Sequence, residues 1–268
     1  MPPILENKHS VAPSVFRASA LLREARRQKG LAEAAVPSIC VLDPDGDIVR
    51  HLRSTGQASR CETWPCYHTA LDTFPLAGER VGIIGCAVGA PFAVLVAEEL
   101  FASGCRFLLS VTSAGQISAV RPPPYFVVID RALRDEGTSY HYAEAADYAE
   151  ADPSWVALGC DAISEAGLEP LVGPTWTTDA PFRETADAIA AAKAKGMLAV
   201  EMEAAALYAF ARASGSAVLC LAHVTNTMGQ TQHDFEKGAR DGTQEALALL
   251  AAIVSRAARR ILPGSPAV

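Results

Sequence analysis

The sequence predicts an α/β protein whose mainly parallel sheet is covered by helices on both faces. Short apolar stretches typical of strands alternate with helical patterns of roughly 10–15 residues, the alternation expected of parallel strands joined by helical crossovers. The 268 residues contain no internal repeat, low-complexity linker or Ser/Gly-rich joint. A single domain, residues 35–268, preceded by a helical extension, residues 1–34, is therefore the organisation we expect.

The predicted elements follow in chain order. A basic helix, LLREARRQKG, ends at Gly30, because glycine suits the left-handed conformation that closes many helices. A buried strand at 38–42 runs into the turn-rich segment 43–47. Beyond it, apolar runs predict strands at 80–86, 106–112, 125–131, 198–200 and 217–224. Helical patterns predict helices at 91–103, 155–166, 184–195, 203–213 and 243–261.

Composition excludes several classes of protein. With 50% hydrophobic and 20% charged residues, the chain is neither disordered nor fibrous. A net charge of −7 and a pI near 5.4 argue against binding nucleic acid or anionic lipid by charge. The uncharged stretch 81–97 contains glycines and Pro91, which favours a strand, a turn and a helix over a membrane span. We expect neither a nucleic acid nor a membrane as a partner.

The cysteine pattern indicates free thiols. There are seven cysteines, an odd number, and no pair has CxxC spacing. Most lie within apolar runs, as buried thiols do in a reducing compartment. The first residues also lack the charged-then-apolar layout of a secretory signal. We therefore expect a cytoplasmic protein with no disulfide and no metal site. The seven are Cys40, Cys61, Cys66, Cys86, Cys105, Cys160 and Cys220.

The first candidate motif is a glycine turn. Between Gly85 and Pro91 a strand breaks, and the helical pattern FAVLVAEEL follows. Backbone N–H groups at such a helix start can bind an anion or a sugar hydroxyl. A tight turn that needs glycine only for its dihedral angles is the favoured interpretation of this motif by itself. The spacing fits neither GxGxxG nor a P-loop, so a nucleotide cofactor is not indicated.

Two further motifs lie where strands end. Small hydroxyl residues occupy 110–113, and ligands of open α/β sheets bind at the carboxyl ends of strands, although such residues also cap turns. At Glu201–Met202–Glu203, two carboxylates flank a methionine where a buried strand meets an alanine-rich helix. Acidic residues there can complement the helix dipole. They can also bind the two hydroxyls of a ribose, with the methionine under the sugar.

These motifs together carry a family resemblance. VEMEAAALYAFA resembles the signature of the nucleoside phosphorylase family, which includes uridine phosphorylases, hexameric purine nucleoside phosphorylases and methylthioadenosine nucleosidases. GCAVGAPFAVLVAEEL, SVTSAGQI and the segment 134–142 resemble the family's glycine turn, phosphate-side loop and a uridine phosphorylase segment, in the same order. The resemblance covers residues 35–260. It implies a single three-layer α/β/α domain around a mixed, partly barrel-like sheet, and homo-oligomers, either dimers or hexamers built from dimers.

The resemblance also implies roles around the sugar. Glu203 should hold the ribose 2′ and 3′ hydroxyls and act as a catalytic carboxylate, since cleavage of the N-glycosidic bond places positive charge on the anomeric carbon. Met202 should pack against the sugar, and Glu201 should help to shape that wall. His141 is a further ribose-binding candidate, although a histidine in a polar loop is equally well a surface or turn residue.

The base side is implied in the same way. Asn226 lies where purine enzymes have an aspartate that protonates the base and where uridine phosphorylase has asparagine. An amide can hydrogen-bond a base but does not readily give up a proton, which favours pyrimidines or 6-oxopurines over adenine-type bases. Trp176, Phe182 and Arg183 lie where the base pocket of the family forms.

The acceptor side departs from the family. Gly89, Thr112 and Ser113 match the positions that donate to phosphate, or to water in the nucleosidases. The family's Gly-Asp-Pro-x-Arg turn reads Leu42–Asp43–Pro44–Asp45–Gly46 here and lacks the arginine. Ser110 stands where a second phosphate arginine precedes the loop. Arg60 lies near the position of a third arginine, which a neighbouring subunit contributes.

Three hypotheses follow for a small-molecule nucleoside. The first is phosphorolysis, a pentosyl transfer that needs no cofactor and uses inorganic phosphate as co-substrate. The second is hydrolysis on the same scaffold, suggested by Ser110 and the missing turn arginine. The third is a non-catalytic nucleoside-binding protein that retains the ribose wall. Base release from a set of nucleosides, with and without phosphate, separates the three.

Overall fold

The computed structural model describes residues 3–228 and 234–261. Within them the strands are β1 (Ile39–Asp43), β2 (Ser59–Arg60), β3 (Asp72–Leu76), β4 (Glu79–Gly85), β5 (Phe107–Gln116), β6 (Tyr125–Asp135), β7 (Tyr148–Glu150), β8 (Val172–Thr178), β9 (Ala199–Glu201) and β10 (Ala217–Asn226). The α-helices are α1 (Ala18–Lys29), α2 (Asp47–Ser54), α3 (Ala90–Ala102), α4 (Pro153–Glu165), α5 (Ala186–Ala194), α6 (Ala204–Ser214) and α7 (Thr243–Ile261). Short 3₁₀ turns occur at Pro3–Leu5, Ser139–His141 and Pro181–Arg183.

Strand β5 is the centre of the sheet. It pairs in parallel with β1 and β10 and antiparallel with β9. From β10 the pairing continues through β6, β8 and β9 and returns to β5, which closes a five-stranded ring. Strands β1, β4, β3 and β2 extend from β5 as an open wing, and β7 pairs with β6. The expectation of a mixed, partly barrel-like sheet is confirmed.

The strand–helix alternation predicted a mainly parallel sheet, and this prediction is wrong. Of the ten strand pairings in the described ranges, five are parallel and five antiparallel. The antiparallel pairs include β3–β4 in the wing and β6–β10 in the ring. Neither follows from a helical crossover, so the alternation of elements did not predict them.

Helices cover the two faces of the sheet, and this confirms the expected three layers. Helices α3 and α6 contribute Val94 and Leu207 to the core on one face. Helices α2, α4 and α7 contribute Leu52, Trp155 and Ile253 to the core on the other.

A buried tyrosine fixes α6 to the sheet. The hydroxyl of Tyr208 donates to the carbonyl of Ile129 at 2.6 Å and accepts from the backbone N–H of Cys220 at 3.0 Å. It thereby connects α6 with β6 and β10, and its side chain is 1% exposed. Because α6 begins directly after Glu203, this anchor also fixes the position of that carboxylate.

Most of the predicted elements are present. Gly30 caps α1 in the left-handed conformation with φ 64°, and α7 spans the predicted residues 243–261. Helix α5 begins at Ala186, later than expected, because the hydroxyl of Thr185 accepts from Ala188 N–H and caps it there. Strands β2, β3, β7 and β8 and helix α2 were not predicted.

The N-terminal helix α1 packs against α3 and buries Leu22 and Ala25. The division into an extension, 1–34, and a domain, 35–268, stays a prediction. Among the helices that the structure describes, none is both long and apolar enough to cross a bilayer.

Candidate active site

Glu203 is the centre of a buried polar site. Its Oε1 accepts a hydrogen bond from Gly89 N–H at 2.7 Å, and its Oε2 accepts one from the Thr112 hydroxyl at 2.8 Å. Gly89 precedes α3, Thr112 lies on β5, and Glu203 precedes α6. The site therefore lies where two strands end and two helices begin, as ligand sites of α/β sheets do.

The environment of Glu203 weakens its acidity. Burial, which leaves 1% of the residue exposed, raises its pKa, and the charge of nearby Glu201 raises it further. The Gly89 N–H and the Thr112 hydroxyl act in the opposite direction, because both donate to the carboxylate. A ribose hydroxyl can replace one of these donors without leaving the carboxylate unpaired.

The carboxylate of Glu201 is engaged entirely within the fold. Its Oε1 accepts from the hydroxyls of Thr175 and Thr177, at 3.1 and 2.5 Å. Its Oε2 accepts from the N–H groups of Glu203 and Ala204, each at 2.7 Å. Burial raises its pKa, and these donors lower it. Glu201 thus fixes the turn that presents Met202, which is half-buried, and Glu203. Direct contact of Glu201 or Met202 with a sugar stays a prediction.

Gly89 has a backbone conformation that other residue types rarely adopt. Its φ is 89° and its ψ is 148°, in a region populated almost only by glycine. A Cβ added there would meet no atom within 4 Å, so conformation, not space, requires glycine. The turn needs this conformation to aim the Gly89 N–H at Glu203.

On the predicted acceptor side, three carboxylates lie in and beside the turn after β1, which lacks the arginine that the family has at its end. Oδ2 of Asp45 accepts from Ser113 N–H at 2.7 Å. Asp47 pairs with both Arg50 and Lys237. Asp43 is buried and accepts from Val49 N–H at 2.9 Å, and burial raises its pKa to about 7.

These carboxylates surround a small cavity of about 20 Å³. Thr112, Ser113, His223 and Lys237 are among the other residues that line it. The sequence analysis missed the acidic residues and Lys237. The acidic turn was visible in the sequence as a departure from the family, but only the fold shows that Lys237 reaches it, 190 residues from Asp47.

Two predicted acceptor residues are placed elsewhere. Ser110 is fully buried within β5, is not among the residues that line this cavity, and its hydroxyl finds no partner in the described part of the chain. Arg60 lies on the wing strand β2 and pairs with Asp72 at 3.5 Å. Its predicted role is to contact phosphate in the site of a neighbouring subunit, and this role stays a prediction.

Asn226 ends β10 and lies beside Gly115 of β5. Its Oδ1 accepts from Met228 N–H at 2.9 Å, and its Nδ2 donates to the Thr225 hydroxyl at 3.1 Å. Gly115 allows this approach, because a Cβ there would lie 2.3 Å from the Met228 sulfur and 3.4 Å from Asn226 Oδ1. The amide is thus held in one orientation with 8% of the residue exposed.

The other predicted base-side residues are dispersed. Trp176 is buried in a core cluster, and its indole N–H donates to Asp135 at 3.0 Å. Phe182 is 98% exposed, and Arg183 is also exposed. Phe182 shares a cavity with Met228 and with Glu184, whose pKa burial raises to about 7 and which the sequence analysis missed. Contact of these residues with a base stays a prediction.

His141 lies outside the surroundings of Glu203. It is exposed in a 3₁₀ turn, with Nδ1 3.1 Å from the ammonium of Lys8. It lines a different cavity, together with Phe16, Glu98 and Asp179. Its predicted contact with ribose stays a prediction.

The sequence profile of the phosphorylase superfamily matches residues 38–259, most of the chain. The chain belongs to the phosphorylase superfamily. Its membership agrees with the mixed, partly barrel-like sheet. Within the described residues, no cluster of three or more His, Cys, Asp or Glu side chains is arranged to hold a metal ion.

Several superfamily members are similar to this chain. Guanosine phosphorylase of Halorubrum lacusprofundi is 32% identical over 140 residues, which cover 52% of this chain and 57% of that protein. A DeoD-type purine nucleoside phosphorylase of Shewanella denitrificans is 28% identical over 151 residues, covering 56% and 64%. The matches thus span less than two thirds of these relatives.

Uridine phosphorylase of Vibrio fischeri has a similar fold. The two structures superpose with a TM-score of 0.67 at 21% identity, covering 83% of this chain and 92% of the other. At that identity the similarity concerns the fold.

Proposed function

We propose that this superfamily member cleaves the N-glycosidic bond of a nucleoside and transfers the ribosyl group to inorganic phosphate. The observation that carries the proposal is the buried Glu203 carboxylate, held by Gly89 N–H and the Thr112 hydroxyl at the carboxyl end of the sheet. The names of similar superfamily members, which are guanosine, purine nucleoside and uridine phosphorylases, support the choice of reaction.

The proposed mechanism depends on the charge at the sugar. As the bond to the base breaks, positive charge develops at the anomeric carbon, and Glu203 stabilises it through the ribose hydroxyls. A phosphate oxygen forms the new bond to that carbon. The base leaves with the electron pair of the broken bond and takes up a proton from solvent, while the Asn226 amide hydrogen-bonds it. No step requires a cofactor.

Several finer features belong to the same proposal. Asn226, an amide in place of an acid, favours a pyrimidine or 6-oxopurine base. We also propose a homo-oligomer, a dimer or a hexamer built from dimers, in which Arg60 of one subunit reaches the site of another. A cytoplasmic location is supported by the seven free thiols.

A second function, hydrolysis, is favoured by a specific observation. Asp45 accepts the Ser113 N–H at 2.7 Å, at a position where the resemblance implies a bond to phosphate. The adjoining cavity of about 20 Å³ has room for roughly one water molecule. In this alternative, water attacks the anomeric carbon and the Asp45 carboxylate takes its proton, while the N-glycosidic bond breaks and the base leaves with the electron pair.

The deciding experiment measures base release from guanosine, inosine, adenosine and uridine, with and without inorganic phosphate. Release that requires phosphate and yields ribose 1-phosphate is the expected result. Equal release without phosphate, with free ribose as product, would replace phosphorolysis by hydrolysis. Saturable binding of a nucleoside without release would indicate a non-catalytic binding protein.

A further inference from the structure

Lys237 is a cation at the acceptor side that the family resemblance does not assign. Of the described residues that line the cavity beside Ser113, it is the only lysine or arginine. Its side chain is 29% exposed, and its ammonium pairs with Asp47. A buried phosphate needs charged or multiple donors, and the turn after β1 lacks the family's arginine. Lys237 supplies a positive charge at that place.

Two donors of this cavity are occupied by the protein's own carboxylates. Asp47 accepts from the Lys237 ammonium, and Asp45 accepts from the Ser113 N–H. A carboxylate and a phosphate both accept through anionic oxygens, so each aspartate occupies a donor that could bind a phosphate oxygen. With both contacts formed, the cavity of about 20 Å³ is too small for phosphate.

The backbone around Lys237 is held independently of its side chain. The N–H of Glu236 donates to the Thr225 carbonyl at 2.8 Å. Asp234 accepts from both the N–H and the hydroxyl of Thr227, at 3.0 and 2.6 Å. These bonds attach the segment before Lys237 to the end of β10. The ammonium can therefore change partners while the segment stays in place.

We propose that Lys237 is the phosphate-binding cation of this chain and selects its acceptor. When Lys237 is paired with Asp47, the cavity admits water. When phosphate enters, it replaces Asp47 on the ammonium and Asp45 on the Ser113 N–H. This inference rests on the proposed function, because it concerns the acceptor of the same reaction.

Two substitutions at opposite ends of the ion pair test the inference. Lys237→Met should raise the KM for inorganic phosphate by roughly 10- to 100-fold, the loss expected for a charged hydrogen bond. The KM for the nucleoside should stay within about twofold. Asp47→Asn removes the competing charge and should lower the phosphate KM several-fold. Lys237→Arg should restore phosphate binding in part.

A matched control measures the effect of removing a lysine from an ion pair elsewhere on the protein. Lys195 is exposed and pairs with Asp147 at 3.4 Å, so Lys195→Met also removes a lysine from an ion pair. It should leave both KM values unchanged. If Lys237 served only to hold the fold, Lys237→Met and Asp47→Asn would have effects of the same sign. That outcome, or an unchanged phosphate KM in Lys237→Met, overturns the inference.

Equilibrium dialysis with radiolabelled inorganic phosphate separates this inference from the proposed function. It measures phosphate binding whether or not a nucleoside is cleaved. Binding by the wild type that is lost in Lys237→Met supports the role of Lys237 even if none of the four nucleosides is cleaved. No phosphate binding by the wild type overturns that role, even where base release by water proceeds.

Discussion

The Glu203 carboxylate and the Thr112 hydroxyl, 91 residues apart in the chain, are joined by a hydrogen bond of 2.8 Å. Thr112 lies on β5, which pairs with β1, β9 and β10, so the hydroxyl has a rigid support. Glu203 precedes α6, which Tyr208 fixes to the sheet. The carboxylate is therefore placed before any substrate arrives, and preorganisation of this kind is what stabilises developing charge.

Glu203→Gln should reduce turnover by about 10²-fold or more while the fold is preserved, because an amide stabilises positive charge less well than a carboxylate. The measurement is kcat on whichever of the four nucleosides is cleaved fastest, with the thermal unfolding midpoint as a check of folding. Glu62→Gln, at an exposed position, is the matched control. Near-normal turnover in a folded Glu203→Gln protein would contradict the assignment of the sugar site.

Gly89→Ala should lower both stability and turnover, because alanine is strained at φ 89°, ψ 148° and relaxation would redirect the N–H away from Glu203. We expect a cost of about 1–3 kcal/mol in the free energy of unfolding. Gly196→Ala is the control, since Gly196 has φ 78° and also nothing within 4 Å of an added Cβ. Both variants should lose stability on urea unfolding, but only Gly89→Ala should lose activity. Equal activities would show that the Gly89 turn does not position Glu203.

Asp43→Asn should become more stable relative to the wild type as the pH rises. Burial raises the pKa of Asp43 from 3.8 to about 7, so the folded state favours the neutral acid. Its stabilising contribution is complete below pH 3.8 and is lost as the pH rises through 7. Asparagine stays neutral and can still accept from Val49 N–H. At pH 8 the difference should favour the variant by on the order of 2–4 kcal/mol compared with pH 4.

Urea unfolding of both proteins between pH 4 and 8 measures that difference. Burial lowers the pKa of His223 from 6.5 to about 4, so stability from His223 is lost as the pH falls from 6.5 towards 4. That change affects both proteins alike and cancels when they are compared. A difference that is constant with pH would show that Asp43 is ionised in the folded protein throughout the range.

Tyr208→Phe should destabilise the protein by about 1–3 kcal/mol, because the Ile129 carbonyl and the Cys220 N–H both lose a buried partner. The control is Tyr67→Phe. Tyr67 is 43% exposed and its hydroxyl donates to Gln28, so the loss should be below about 0.5 kcal/mol. Chemical denaturation of the three proteins gives the comparison. Equal stabilities would show that water replaces the Tyr208 hydroxyl.

The thiols should react in a fixed order. All seven cysteines are free, and Cys86 alone is exposed, while Cys160 is half-buried. A thiol reagent should therefore modify one cysteine rapidly in the native protein, and Cys86→Ser should abolish that phase. After denaturation without a reductant, the count should approach seven. A count well below seven in freshly prepared protein would refute the assignment of free thiols and the reducing compartment.

Local sequence patterns predicted the parts of the fold that depend on local physics. Helix α7 has a continuous apolar face, and its bounds were predicted as observed. Strand β8 was missed because it contains Pro174 and because its last four residues, Thr175–Thr178, are not aliphatic. It also lacks the alternation of apolar and polar residues that is typical of a half-buried strand. Closure of the ring through β10, β6, β8 and β9 depends on long-range pairing, which no short window contains.

The candidate site also combines residues that a local motif predicted with contacts that only long-range folding creates. Glu203 was predicted because two carboxylates, a methionine and a helix start lie together in the sequence and resemble the signature of the family. The contact of Asp45 with Ser113 spans 68 residues, and the contact of Lys237 with Asp47 spans 190. Neither can be deduced from spacing. The turn after β1 was noted for the arginine it lacks, and only the three-dimensional structure shows what its carboxylates contact.

The proposed sugar site and the proposed acceptor cavity draw most of their residues from different segments of the chain. Glu203 and Gly89 belong to the first, the turn after β1 and the segment around Lys237 belong to the second, and Thr112 belongs to both. Substitutions in that turn and around Lys237 do not remove the hydrogen bonds that Glu203 accepts from Gly89 and Thr112. Under the proposed function, a lineage built on this scaffold can thus exchange one co-substrate for another by a few changes in these two segments, while the ribosyl donor stays the same.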